Sequence, residues 1–333
     1  MAAVAGIEDL RRPAGITLQT LAVAAVYFVA GRLGLLRRLV VEGAVVTPIW
    51  PPMGVAVACL LLFGLRVWPG IALGALLVAV SVTSLQPAVT GTLVGNTAAP
   101  VCAYYLLRKV GFRTDLARLR DGFALVFLGA LTATLVSATA GAGLLCLTGK
   151  LPEDDFWLVW TTWWAGDAMG VLIVTPVLLM LYRARRTVRA ARWKEAVGLT
   201  LVALALVPFA TRSSVSLLFL VSPLLIWAAL RFQLAGSMLC ALFASVMATI
   251  AATDRLGPFA RLSGFEVMFK LQAFNGAMAL TALLLSAVIT EQLNTRRSVE
   301  RACQELVEVL EHLTAGDTGH PYDRPGDHPR EAG

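Results

Sequence analysis

Histidine is almost missing from this chain: His312, His320 and His328 are its only three, and all lie beyond residue 311. The apolar stretch before them offers no imidazole, which excludes a His-ligated haem or zinc site there and leaves no metal or cofactor expected. His312 stands alone near the end of a helix-compatible segment, where the helix dipole favours a cation, and is not read as a phosphoacceptor. The five cysteines, Cys59, Cys102, Cys146, Cys240 and Cys303, show no Cys-x-x-Cys spacing. The first four sit inside apolar runs, where a thiol packs as a small hydrophobe. No glycine-rich phosphate loop follows a strand pattern, and no nucleophile and base stand at a recognisable spacing. The chain is therefore not expected to be an enzyme. Charged residues are only 15% of the total, and although the net charge is +7, no basic stripe is interleaved with aromatics, which excludes nucleic acid as a partner.

Apolar residues dominate what is left. They make up 58% of the chain and its mean hydropathy is +0.75, where soluble domains hold about 45 to 50% apolar residues. Runs of about 20 residues, enough to cross a bilayer core of roughly 30 Å, follow one another from Ile16 to Ile289. The expected fold is all-α, a polytopic helical membrane bundle of about ten spans at 16–36, 45–65, 68–86, 87–107, 122–147, 156–181, 196–212, 214–231, 233–252 and 265–290. Arg11 and Arg12 precede the first run without a convincing cleavage site, so that helix is expected to stay uncleaved. Alternate connections carry eighteen basic residues on one side and eight on the other. Cytoplasmic loops retain positive charge, so both termini are expected in the cytoplasm of a plasma-membrane protein. The expected divisions are a cytoplasmic segment at 1–15, the membrane domain at 16–290, a cytoplasmic helix at 291–314 and a disordered, Gly-, Pro- and Asp-rich tail at 315–333.

Polar residues within the spans mark the candidate site. Counting inward at about 1.5 Å per residue puts Trp50 at roughly 8 Å, Trp163 and Trp164 at 11 to 12 Å, Asn96 at 14 Å, Asn275 at 15 Å and Asp167 at 16 Å from the outer surface. Trp160, Trp163 or Trp164, and Asp167 follow the spacing of one helical face. Two readings stand side by side. One is an outer-half ligand pocket with stacking walls and Asp167 as its anchor. The other is an interfacial tryptophan belt, with Asp167 paired internally to Lys270, Arg32 or an indole N–H. Pro51-Pro52 beside Gly54 is expected to break the second span, which lipid tolerates only where the freed backbone faces protein or water. Gly91 and Gly95 are expected to let helices pack closely. Glu153-Asp154-Asp155 is read as a solvated loop. Leu65-Arg66 with Gly70 and Leu230-Arg231 with Gly236 form a faint internal echo.

Several of these clusters occur together in a characteristic order: Trp50-Pro51-Pro52-Met53-Gly54, Phe63-Gly64-Leu65-Arg66, Trp68-Pro69-Gly70, Gly95-Asn96-Thr97, Trp163-Trp164, Gly166-Asp167, Gly170, Ala229-Leu230-Arg231-Phe232 and Gly257-Pro258-Phe259. In this order the chain resembles the first membrane-associated sensor domain family, found in bacteria ahead of histidine kinases, diguanylate cyclases and phosphatases. The resemblance implies a sensory input module, with Pro51, Pro52, Gly54, Gly166, Gly170, Arg66 and Arg231 as motif residues. No kinase, cyclase or phosphatase signature follows Glu291, so output is expected through a separate effector of that kind, as in a two-component system. From Ala277 to Thr314 there is neither Gly nor Pro. Within that stretch Val299, Ala302, Leu306, Val309 and Leu313 alternate in threes and fours like a coiled-coil seam, suited to an effector or a homodimer. An end-helix lying on the lipid headgroups is the plainer reading of the same pattern. A small-molecule transporter is the competing function, since broken helices and midplane polar residues suit one equally.

Overall fold

The computed structural model describes residues 2–41, 44–83, 87–184, 193–215 and 217–317, and the side chains of fewer residues near the ends of these ranges. Much of the tail expected at 315–333 and the arginines at 185, 186, 189 and 192 lie outside the described residues, as does the Leu313 side chain. The chain divides into two compact units, Met1–Thr290 and Glu291–Gly333.

Helices make up nearly all of the first unit, as the apolar runs require. They are α1 (Ala2–Leu35), α2 (Pro51–Phe63), α3 (Trp68–Val82), α4 (Pro87–Lys109), α5 (Leu119–Ala124), α6 (Thr134–Leu147), α7 (Phe156–Met169), α8 (Thr175–Ala184), α9 (Trp193–Arg212), α10 (Val221–Thr253) and α11 (Gly264–Asp317). Segments of π-helix at Leu125–Thr132 and Gly170–Val174 join α5 to α6 and α7 to α8. Seven helical stretches among the described residues are long and apolar enough to cross a membrane. The expected ten full spans are therefore not all present as such.

Three local features account for the difference: α4, 23 residues long but carrying Thr90, Thr92, Asn96 and Thr97, is not among the seven, and the other two lie in α2 and α10. Helix α2 has 13 residues, about 20 Å at 1.5 Å each, well short of a bilayer core. The expected break inside the second span is also corrected: Pro51 and Pro52 open the helix instead of interrupting it. A first-turn residue has no intrahelical partner for its N–H, so proline loses nothing there. Helix α10 is interrupted at Gln233, whose φ of 53° and ψ of −138° are not helical. A Cβ added to Gly236 would lie 3.0 Å from the Ala228 carbonyl oxygen, whereas positions eight apart in a straight helix are separated by about 12 Å. The chain folds back at Gln233, so this stretch is two antiparallel helices.

A two-stranded hairpin, absent from the all-helical expectation, lies between α1 and α2. Strand β1 (Leu39–Val41) pairs antiparallel with β2 (Ala44–Val46), Leu39 opposite Val46. Its sequence signal is two β-branched runs separated by Glu42-Gly43, short enough to hide among apolar neighbours.

Burial explains which helices sit where. Nine of the thirteen α2 residues are buried, so α2 is covered on every side, as an all-round apolar helix must be. One core joins it to α1 and α3 through Tyr27, Ala56, Leu60, Val67 and Ile71, and a larger core joins it to α4, α5 and α7 through α11. Helix α9 instead leaves Leu201, Leu204 and Phe209 exposed, the pattern of a lipid-facing helix. In the second unit, every side chain described from Glu291 to His312 except that of Leu293 is exposed, Val299, Leu306, Val307, Val309 and Leu310 included.

Candidate functional site

The site begins with a stretch of chain that is not helical. Between β2 and α2, residues 47–50 pass against α7 without helix or strand, bending at Pro48. Backbone of this kind survives at membrane depth only if protein satisfies its polar groups. The Trp50 N–H donates to the Gly166 carbonyl (3.0 Å), and Gln272 Nε2 on α11 donates to the Pro48 carbonyl (2.7 Å). Pro48, Pro51 and Pro52 carry no N–H to satisfy. Glycine supplies the closeness: a Cβ on Gly166 would run into the Thr47 carbonyl oxygen, one on Gly170 into that of Trp50, and one on Gly54 into that of Gly170. Thr175 Oγ1 then donates to the Gly54 carbonyl (3.1 Å). The Trp-Pro-Pro-x-Gly and Gly-Asp-x-x-Gly motifs are thus two halves of one backbone contact.

That contact leaves a cavity of about 150 Å³ beside it, lined by Leu35, Val46, Thr47, Trp50, Thr92, Asn96, Trp163 and Asp167. Four residues expected from the sequence, Trp50, Asn96, Trp163 and Asp167, meet here. Both indole walls rest on glycine: the Trp50 ring lies against Gly34 of α1, and the Trp163 ring lies where a Cβ of Gly141 on α6 would stand. Trp163 and Asp167, four apart on α7, share a face as the periodicity predicts. Asn96 Oδ1 accepts from Ser137 Oγ (3.1 Å), joining α4 to α6, where Gly91 and Gly95 also permit the close approach expected of them.

Asp167 is 1% exposed, and neither carboxylate oxygen has a hydrogen-bond partner among the described residues. Four of the internal partners proposed for it are engaged elsewhere. Lys270 Nζ donates to the Pro258 carbonyl (3.0 Å), Arg32 to Ser81 (3.3 Å), Trp160 Nε1 to Thr139 (3.1 Å) and Trp164 Nε1 to the Leu131 carbonyl (2.8 Å). Ser137 is close, but its proton is directed to Asn96. The Tyr27 hydroxyl, fully buried beside Trp50, is within electrostatic reach of Asp167 and makes no hydrogen bond of normal geometry. An ionised carboxylate in such surroundings costs several kcal/mol, by insertion scales about 2.5 to 3.5.

Two expected members fall outside this cavity. Trp164 stacks on Trp160 (6.0 Å between ring centroids, 21° between planes) and faces a groove between α7 and α11, because one residue along a helix turns the side chain by about 100°. Asn275 is fully buried on α11, with neither amide atom partnered among the described residues, and does not line the cavity. Sequence reasoning missed Tyr27, Thr92, Ser137 and Gln272. Thr92 lies one helical turn before Asn96, a spacing that could have flagged it; the others show their role only through contacts between distant helices.

Arg66 and Arg231, paired in the internal echo, differ in surroundings. Arg66 Nε bonds the Phe63 carbonyl (3.1 Å), while Arg231 grips both oxygens of Glu195 on α9 (2.9 and 2.7 Å). Among the described residues no group of three or more His, Cys, Asp or Glu side chains is placed to hold a metal ion.

Comparison with known proteins adds the family. No curated protein and no solved structure matches the chain. The model of the MASE1 family matches residues 19–293, a range that contains α2, α4 and α7 with every residue lining the cavity. The chain belongs to the MASE1 family, and is a multi-pass membrane-associated sensor domain of the kind found in signalling proteins.

Proposed function

We propose that the Asp167 cavity is where this sensor receives its input, and that the input is a small organic cation. The observation that carries the reading is a buried, unpartnered carboxylate facing a cavity walled by two indoles. The two kinds of group favour one guest, because a carboxylate attracts positive charge and an indole face adds about 0.5 to 2 kcal/mol of cation–π attraction. At about 30 Å³ per water molecule the cavity corresponds to roughly five waters, so the guest has only a handful of non-hydrogen atoms. Thr92 and Asn96 would orient it. A guest that neutralises Asp167 favours whichever conformation closes the cavity around it, which is how a ligand shifts an equilibrium.

On this reading the protein lies in a bacterial plasma membrane with both termini in the cytoplasm, following the asymmetry of its arginines. The cavity then opens towards the outside, and α11 carries the signal to a kinase, cyclase or phosphatase effector. The chain itself catalyses nothing in this scheme. Its exposed stripe of Val299, Ala302, Leu306 and Val309 contacts the effector or a second copy.

Tryptophan fluorescence of the full chain in nanodiscs, titrated with methylammonium, tetramethylammonium and choline, tests the cavity. Saturable change is expected for at least one of them. Asp167→Asn should weaken it about tenfold or more, the scale of one lost charge-assisted contact, while Trp164→Phe should leave the affinity unchanged. Equal affinity in Asp167→Asn, or no response to any of the three, would sink the proposal. Net flux of the bound amine in liposomes would instead favour a transporter.

A further inference from the structure

A second recess, of about 420 Å³, lies where α2, α4 and α8 end, away from the Asp167 cavity. Its floor is apolar, Leu61 and Phe112, and its walls carry three guanidinium groups, Arg108, Arg113 and Arg183, with the Thr114 hydroxyl and a single carboxylate, Asp115. The connection from α4 to α5 that holds much of it is pinned from both sides. The Arg113 N–H donates to Asp121 Oδ1 (3.1 Å) and the Ala117 N–H to Asp115 Oδ1 (3.3 Å). Asp115 Oδ2 accepts from Arg113 (2.6 Å) and stands 4.0 Å from Arg183. Arg108 lies over the Tyr104 ring, 5.5 Å from its centroid, and among the described residues has no carboxylate within ion-pair distance. Among the lining residues one carboxylate thus meets three permanent cations, and although the buried Asp121 carboxylate behind Arg113 offsets part of the excess, positive charge still prevails. Retention of positive charge on one side of the membrane explains arginines in these loops. It does not explain a recess into which arginines from α4, the following loop and α8 converge around a hydroxyl.

We propose that this recess binds a phosphate-bearing anion. Guanidinium forks match phosphate oxygens in pairs, and an anion would balance the remaining positive charge. Such a group reaches the recess either as the headgroup of an anionic lipid or as a soluble phosphate compound. Asp115 is the counterweight: it preorganises Arg113 and repels the guest. Removing its charge should therefore strengthen binding, whereas removing an arginine should weaken it.

The test uses the full chain in nanodiscs, in two arms. In phosphatidylcholine discs, pyrophosphate is titrated at constant ionic strength while the thermal unfolding midpoint is followed. In discs containing phosphatidylglycerol, native mass spectrometry counts the lipid molecules retained on release. Binding is expected in at least one arm; the first identifies a soluble phosphate compound and the second a lipid headgroup. In that arm Arg108→Gln and Arg183→Gln should each weaken binding about tenfold, and Asp115→Asn, which keeps an acceptor for the Ala117 N–H, should strengthen it by a similar factor. A gain of affinity cannot come from misfolding. The proposal is overturned if neither arm shows binding, if binding ignores the arginines, or if Asp115→Asn weakens it as the arginine variants do.

Discussion

Glycine and aspartate meet opposite demands around the cavity. Gly54, Gly166 and Gly170 are needed for what they lack, because any side chain there would occupy the space of a neighbouring carbonyl oxygen. Gly170→Ala should therefore destabilise the protein by about 1 to 3 kcal/mol, the usual cost of overpacking. Gly143, within α6, has nothing within 4 Å of an added Cβ, and Gly143→Ala should be neutral or raise stability by up to about 1 kcal/mol. Thermal unfolding of the two variants in the same detergent checks both; equal midpoints would show that the backbone contact does not matter. Asp167 is the reverse case, a group whose burial works against stability. Asp167→Asn should keep or raise the unfolding midpoint while weakening amine binding about tenfold or more, a pairing unlike that of an ordinary core residue. A midpoint lowered along with binding would mark Asp167 as structural.

At the scale of elements, the short α2 and the non-helical residues before it depend on other helices. Gln272 is the one side chain among the described residues seen to cap the Pro48 carbonyl. Gln272→Ala would leave that carbonyl without its partner, at about 1 to 3 kcal/mol. Hydrogen exchange at the Thr47, Ile49 and Trp50 amides should speed up while exchange in α9 stays the same. Uniform change across the chain would mean that Gln272 acts on global stability instead. The π-helical turns fit the same logic. Gly170–Val174 begins three residues after Asp167 and shifts the register of α8 relative to α7, so that Thr175 reaches the Gly54 carbonyl. Neither π segment could be read from composition, since π and α turns draw on the same apolar residues.

For the molecule as a whole, the proposed output rests on the second unit. Five of its described apolar residues, Val299, Leu306, Val307, Val309 and Leu310, are more than half exposed, and two heptads are too few to hold a dimer in isolation. On the proposed output route, tethering to a membrane domain would raise the effective concentration enough for so short a seam. Leu306→Asp combined with Val309→Asp should reduce the dimer or co-purified effector about tenfold while membrane insertion and amine binding stay as they were. Undiminished association would leave the stripe without this role.

Composition and period by themselves determined the class of this protein. A chain with this much apolar surface and so little charge has no water-soluble fold, and the order of its Trp-Pro-Pro, Gly-Asn and Gly-Asp clusters pointed to the family that the comparison shows. They also singled out Trp50, Asn96, Trp163 and Asp167, because a polar residue inside an apolar run is conspicuous wherever the chain leads. Only the tertiary structure decided how those residues are used. Whether Pro51-Pro52 interrupts a helix or opens one depends on where the chain enters the bundle, and that is set by the space that Gly166 and Gly170 leave on another helix. Whether Asp167 has an internal partner depends on which way Lys270, Arg32 and the indoles turn. Trp163 and Trp164 are adjacent in sequence, yet one walls the cavity and the other faces a groove on α11. Backbone approach and side-chain direction arise from contacts between residues far apart in the chain, and helical periodicity registers only those close together.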